Sequence, residues 1–187
     1  MRVFVAGATG VIGVRLVPLL VAAGHEVTGM TRSPAKGDLL RRLGADPVVA
    51  DVYDRDSLGV IDADVVVDEL TDLPDAEAEL GDFVDANARI RTEGTRNLLD
   101  AARDVPRFLI QSVAWQLPGA AGEAVAEMER MVLDRGGVVL RYGQLYGPGT
   151  YHEGEPPDPP RVHIDEAARR TVDLLAGGSG IVTIVEP

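Results

Sequence analysis

Short apolar runs of strand length alternate with helical stretches along the chain, and this order restricts the fold more than any other property of the sequence. Strands are expected at about 2–7, 26–31, 47–50, 64–68, 107–112, 137–142 and 181–185, with helices at about 11–23, 35–43, 55–59, 78–104, 122–135 and 164–176. Val3-Phe4-Val5-Ala6 and Val65-Val66-Val67 are apolar at every position, as a sheet covered on both faces requires. Such strands in βαβ order predict an α/β fold built on a doubly wound parallel sheet. The 187 residues, 45% of them hydrophobic, suit a single domain over 1–187. One stretch breaks the pattern: GPGTYHEGEPPDPP, 147–160, is expected as a Pro/Gly-rich insertion loop.

Composition removes whole chemistries. There is no cysteine, hence no disulfide framework, thiolate zinc site or thiol nucleophile, in keeping with a reducing compartment. No metal site is expected. Lys36 is the single lysine; it lies in Ala35-Lys36-Gly37, so a P-loop is excluded, and as a Schiff-base candidate it competes with a plain solvated turn residue. A formal net charge of −12 repels phosphate backbones and anionic membranes. Nucleic acid and membrane are therefore not expected partners. The N-terminal residues run straight into a strand and no stretch reaches the length of a spanning helix, so the expected location is cytoplasmic.

Gly7-Ala8-Thr9-Gly10-Val11-Ile12-Gly13 joins the first strand to the first helix. Gly7 permits a tight turn, Gly10 lets the backbone approach a pyrophosphate, and Gly13 lets the helix pack closely, while the helix N-terminus offers free amides to an anion. Gly7, Thr9, Gly10, Val11, Ile12 and Gly13 are the candidate phosphate-binding residues. A dinucleotide site that prefers NAD places a carboxylate roughly 20 residues on, at the end of the second strand. Here that strand ends Thr31-Arg32-Ser33. Arg32 can fork onto a 2′-phosphate, which favours NADP(H) over NAD; the alternative is a solvated surface arginine.

The GxxGxxG spacing, taken with Asp51-Val52, Glu93-Gly94-Thr95-Arg96-Asn97-Leu98-Leu99, Arg141-Tyr142-Gly143-Gln144-Leu145-Tyr146-Gly147-Pro148-Gly149 and Val162-His163-Ile164-Asp165-Glu166, resembles the extended short-chain dehydrogenase/reductase superfamily. The likeness is to its NAD-dependent epimerase/dehydratase group, especially atypical members, and runs over nearly the whole chain. It implies a Rossmann-like sheet, adenine contacts from Asp51 and Val52, and cofactor contacts from Leu70, Gln144 and Leu145 on the nicotinamide side. It also implies a small-molecule substrate under a minimal C-terminal lid, and a homodimer formed through the long helices.

In that family a tyrosine is the general acid/base, a lysine four residues later holds its pKa down, and a serine or threonine orients the substrate oxygen. Aligning Glu129-Arg130 on the family's acidic and basic pair puts Ala121 at the tyrosine position and Val125 at the lysine position. Neither can move a proton. Ser112 matches the serine, with capping of the strand end as the alternative. Tyr142 and His152 are further acid/base candidates, His152 by intrinsic pKa. Asp68-Glu69-Leu70-Thr71-Asp72 is either a pair of crowded carboxylates with one pKa raised or, as the reading given more weight, a solvated acidic loop. Trp115 is either a substrate wall or a core residue. Asn87, Arg89 and Arg91 share one side of the long helix, as solvated charges or anion contacts. These residues leave three readings: an oxidoreductase working without the dyad, a redox-neutral isomerisation or elimination, and a non-catalytic dinucleotide sensor.

Overall fold

The computed structural model describes residues 1–74 and 77–187, without the side chains of Ala78 and Asp82. Seven strands, β1 (Arg2–Ala6), β2 (Glu26–Thr31), β3 (Asp46–Val49), β4 (Val65–Asp68), β5 (Arg107–Val113), β6 (Val138–Tyr142) and β9 (Gly180–Ile184), form one parallel sheet in the order β3-β2-β1-β4-β5-β6-β9. They lie where the apolar runs place them. The chain reverses direction between β1 and β4, the switch point at which such sheets hold ligands beyond their strand ends.

Alternation along each strand divides the core. Val3, Val5, Val65, Val67, Leu109, Val138 and Leu140 face α1 (Gly13–Ala22) and α7 (Ile164–Asp173). Phe4, Val66, Phe108, Ile110 and Val139 face the opposite layer. That layer comprises α3 (Arg55–Leu58), α4 (Val84–Arg89), α5 (Thr95–Ala101) and α6 (Gly119–Asp134). A short helix, α2 (Gly37–Arg42), precedes β3.

Two expectations change. The single long helix expected over 78–104 is a chain of segments: a 3-10 helix over Glu77–Phe83, then α4, then a π-helical turn over Ile90–Gly94, then α5. The π turn rotates the backbone so that Ile90, Arg91 and Gly94 are all buried. A second, two-stranded parallel sheet is not expected from the sequence at all: β7 (Gln144–Tyr146) pairs with β8 (Arg161–His163) and closes the base of the 147–160 loop. Three-residue strands carry too few positions to show a period.

Candidate active site

The glycine turn has the geometry of an anion cradle. Gly7 has φ +78°, and a Cβ on it would lie 2.7 Å from the Glu69 carbonyl oxygen. A Cβ on Gly13 would lie 2.3 Å from the Gly7 carbonyl oxygen, so α1 starts hard against the turn. Gly10 is different: it is exposed, its N–H donates to Gly7 O at 2.9 Å, and a Cβ there would meet only Gly7 O, at 3.2 Å. Its outer side is open backbone, the space a pyrophosphate would take. The cap residue of α1, Ile12, makes no side-chain cap; in the first turn Val14 N and Arg15 N donate to Gly10 O and Ile12 O, so any amides offered to an anion are those before them, at Val11 to Gly13. Thr9 and Val11 are half-buried beside it.

Arg15 is not singled out by the sequence, since on α1 it reads as the polar side of an amphipathic helix. Its guanidinium donates to Val11 O at 2.9 Å, to Asp165 Oδ1 at 2.9 Å and to Pro148 O, joining the glycine turn, the loop after β7 and the start of α7. Farther along that loop, Tyr151 donates to Pro74 O and His152 Nε2 lies 3.9 Å from Glu77 Oε1, so the loop is tied to the segment after β4. His152 is therefore a half-buried bridging residue of the loop.

At the adenine end, Arg32 is exposed at the tip of β2 and donates to Asp72 Oδ1 at 3.1 Å. Asp72 also lies 3.5 Å from the Tyr53 hydroxyl, and Arg89 stacks over the Tyr53 ring at 4.0 Å. The tip of β2 thus has an acid beside it after all, brought from the segment after β4, where strand-by-strand reading does not look. Burial, with the Asp72 charge, pushes the Tyr53 phenol up to about 12. Asp51 Oδ1 accepts from Tyr53 N at 2.9 Å, and buried Val52 accepts from Asn97 Nδ2 at 2.8 Å. Half-buried Leu70 accepts from Gln111 Nε2 at 3.1 Å. Gln144 and Leu145 lie on β7, and the Gln144 amide donates to Asp158 O at 3.0 Å.

Two polar clusters occupy opposite faces of the same sheet edge. On the α6 face, Ser112 is buried and donates to Glu129 Oε1 at 2.6 Å, while Arg141 grips the same carboxylate from Nε at 2.9 Å and Nη2 at 2.5 Å. The Ser112 hydroxyl is thereby committed inside the protein. Burial pushes the Glu129 carboxyl up, but Arg141 and Ser112 outweigh it and hold the group below its ordinary range. Arg91, 4% exposed, is not a solvated charge: its Nη1 lies 3.6 Å from Met128 Sδ, and its Nε has no partner among the described residues. Burial pushes its guanidinium down, and Asp68 and Glu129 act on it through space in the opposite sense.

On the α1/α7 face, Glu69 Oε1 lies 2.9 Å from the Tyr142 hydroxyl, which lies 2.6 Å from Thr171 Oγ1; Thr171 donates to Ala167 O at 2.9 Å. Tyr142 is 2% exposed, and burial pushes its phenol well up. The favoured reading of Asp68 and Glu69 as a solvated loop is overturned, since they are 3% and 7% exposed. The signal for this is their position directly on the end of an apolar strand. Trp115, by contrast, is exposed rather than core.

Burial pushes the Asp68 carboxyl up to about 7 and the Glu69 carboxyl up to about 8, with the neighbouring Asp68 charge adding to the latter. In the unfolded chain both ionise near the ordinary carboxylate range, so across the interval up to about pH 8 the folded protein holds protons that the unfolded chain has lost. Stability is therefore expected to fall as pH rises from about 4 to about 8, by at most about 1.4 kcal/mol per pH unit for each group. Urea midpoints taken across that range should decline for the native chain and flatten in Asp68→Asn/Glu69→Gln; a midpoint that rises toward pH 8 contradicts the assignment.

A family model described as NAD(P)H-binding matches residues 7–135. A Streptomyces protein named 3-diazoavenalumate denitrifying reductase is 37% identical over 215 aligned residues, covering 99% of this chain and 68% of that protein. A ketoreductase of Stigmatella aurantiaca, named for 4-hydroxy-2-methyl-3-oxo-4-farnesyl-3,4-dihydroquinoline-1-oxide, is 35% identical over 106 residues, 56% of this chain and 30% of its own length. Among solved structures, UDP-glucose 4-epimerase of Thermotoga maritima with UDP-glucose superposes with a TM-score of 0.79 at 17% identity, over 99% of this chain and 77% of that one. The Thermus thermophilus UDP-glucose 4-epimerase complex with NAD gives 0.76 at 19%, over 99% and 78%.

Proposed function

Because the chain belongs to the NAD(P)H-binding family and carries the extended short-chain dehydrogenase/reductase fold, we propose that it is an NADP(H)-dependent reductase of a small, electron-poor substrate. The observation that carries the reading is the open backbone at Gly10 above an uncapped helix N-terminus. Gly7, Thr9, Gly10, Val11, Ile12 and Gly13 hold the pyrophosphate, Asp51 and Val52 line the adenine, and Arg32 takes the 2′-phosphate. Leu70, Gln144 and Leu145 border the nicotinamide, with the Arg15-held Pro148 loop covering the turn. When bound, the reduced dinucleotide supplies a hydride.

The protein's own part is positioning more than proton transfer. Ala121 and Val125 have no proton to give, and Ser112 already donates to Glu129. A site of that kind suits an acceptor that needs no strong acid. The diazo compound in the Streptomyces relative's name points to one class: an arenediazonium takes up hydride, its C–N bond breaks, and dinitrogen leaves without a proton being required.

The test is titration with NADPH and NADH, then NADPH oxidation with an arenediazonium salt and a panel of small carbonyl compounds. Binding of neither nucleotide sinks the reading, and tight binding with no turnover favours the dinucleotide sensor or a redox-neutral enzyme. Arg32→Ala is expected to weaken NADPH about tenfold or more, the equivalent of about 1.4 kcal/mol, and to leave NADH unchanged or tighter because it frees Asp72 for ribose hydroxyls. Unchanged NADPH affinity would remove the phosphate assignment.

A further inference from the structure

The hydrogens around Tyr142 do not add up unless Glu69 contributes one. Three contacts run in series: Glu69 Oε1 to the Tyr142 hydroxyl at 2.9 Å, that hydroxyl to Thr171 Oγ1 at 2.6 Å, and Thr171 Oγ1 to Ala167 O at 2.9 Å. Tyrosine and threonine bring one hydrogen each, which serves two contacts. The third is made if Glu69 carries a proton and donates, giving a chain Glu69 to Tyr142 to Thr171 to the α7 backbone.

The surroundings argue the same way. Glu69 Oε2 has no partner among the described residues, a poor position for half of a carboxylate but a tolerable one for the carbonyl oxygen of a neutral acid. No cation among the described residues faces it. From α1, Arg15 is turned to Asp165 and Pro148; from α7, Arg169 pairs with Glu166 and Asp173, and Arg170 reaches the carbonyls of Thr183 and Val185. Arg141 on β6 points through the opposite face to Glu129, and the titratable neighbour on β4 is another acid, Asp68. The buried position also raises the carboxyl toward the range in which it keeps its proton at neutral pH.

The chain is coupled to the glycine turn through the backbone. Glu69 N donates to Ala6 O at 3.0 Å, and its carbonyl lies against the side of Gly7 on which no Cβ fits. An ionised Glu69 is drawn toward water, and the backbone nearest to feel that pull is the one packed against Gly7. We propose that Glu69 is held as the neutral acid, donating to Tyr142, and that this protonated chain is what keeps the glycine turn in its dinucleotide-holding form. Glu69 is thus a positioning residue, and the inference rests on the reductase reading only for its ligand.

Infrared spectroscopy tests the proton directly. The native chain at about pH 7 should show a protonated-carboxyl C=O band that is lost in Glu69→Gln, persists in Asp68→Asn, and disappears on raising the pH to about 10. Absence of a band assignable to Glu69 at neutral pH overturns the proposal, whatever nucleotide binding does. For the coupling, NADPH affinity measured against pH should fall about tenfold per pH unit once Glu69 ionises, as linkage to one proton requires. Glu69→Gln, whose amide can still donate to Tyr142, should bind with the neutral-pH affinity throughout. A Gln variant that follows the native pH profile overturns the coupling. Failure of both proteins to bind NADPH at any pH would refute the dinucleotide reading and the coupling, while the infrared result would still decide the state of Glu69.

Discussion

Gly13→Ala is expected to destabilise the protein by about 3 kcal/mol or more, while Gly10→Val leaves it folded and unable to hold a dinucleotide. The two glycines belong to one motif but are needed for different reasons. A Cβ on Gly13 would sit 2.3 Å from Gly7 O and 2.6 Å from Ala8 C, both backbone atoms of a turn whose Gly7 is packed against the Glu69 backbone. Nothing flexible can give way, so the start of α1 must move off β1. On Gly10 the corresponding atom meets Gly7 O alone, at 3.2 Å, and the position is exposed. Valine there should change stability by less than about 1 kcal/mol. It fills the space into which a pyrophosphate approaches, and an affinity loss on the order of a hundredfold, about 2.7 kcal/mol, is expected. Urea midpoints and NADPH titrations of the two variants separate these effects. Wild-type NADPH affinity in Gly10→Val would mean that the turn is not the phosphate site.

That division explains how much of the molecule is legible in its sequence. The sheet is legible because Val3-Phe4-Val5-Ala6, Val65-Val66-Val67 and their counterparts have no polar alternative in a sheet covered on both faces, and the turn is legible because Gly7, Gly10 and Gly13 sit between such a strand and a helix. Side-chain partnerships across the sheet edge are not. Asp72 meets Arg32 from forty residues away, and Glu129 meets both Ser112 and Arg141 from a helix whose other buried positions are Ala124, Met128 and Val132. A charged residue beside an apolar stripe normally reads as its solvated margin. Arg91 is hidden for a further reason: regular helical spacing assigns it a side of the helix that the π turn then rotates inward. The roles of Ser112, Tyr142 and His152 depend on such partnerships, which is why residue type alone leaves their chemistry open.

The largest single loss on the α6 face should come from Glu129→Ala, at about 3–5 kcal/mol. Its carboxylate accepts from Ser112 and twice from Arg141, and it acts through space on the buried Arg91, whose other acidic neighbour, Asp68, is pushed up to about 7. Removing it strands three groups unequally. Arg141 is 39% exposed at its side chain and can recover water, and Ser112 loses one neutral-donor bond, worth about 1 kcal/mol. Arg91 is 4% exposed and cannot rehydrate in place, so most of the cost falls there. On that ranking Ser112→Ala should cost only about 1 kcal/mol, and Glu129→Ala combined with Arg91→Met should be more stable than Glu129→Ala alone, because a buried charge without a partner is worse than an apolar side chain of similar length. The native pair also has its own pH signature: Glu129 is held below its ordinary value, so its stabilising effect is present above about pH 4.5 and lost as pH falls through its lowered folded value. Denaturant midpoints of the three variants at neutral pH check the ranking. A double variant no more stable than Glu129→Ala would show that Arg91 finds another partner, and would shift the cost of the deletion onto Arg141.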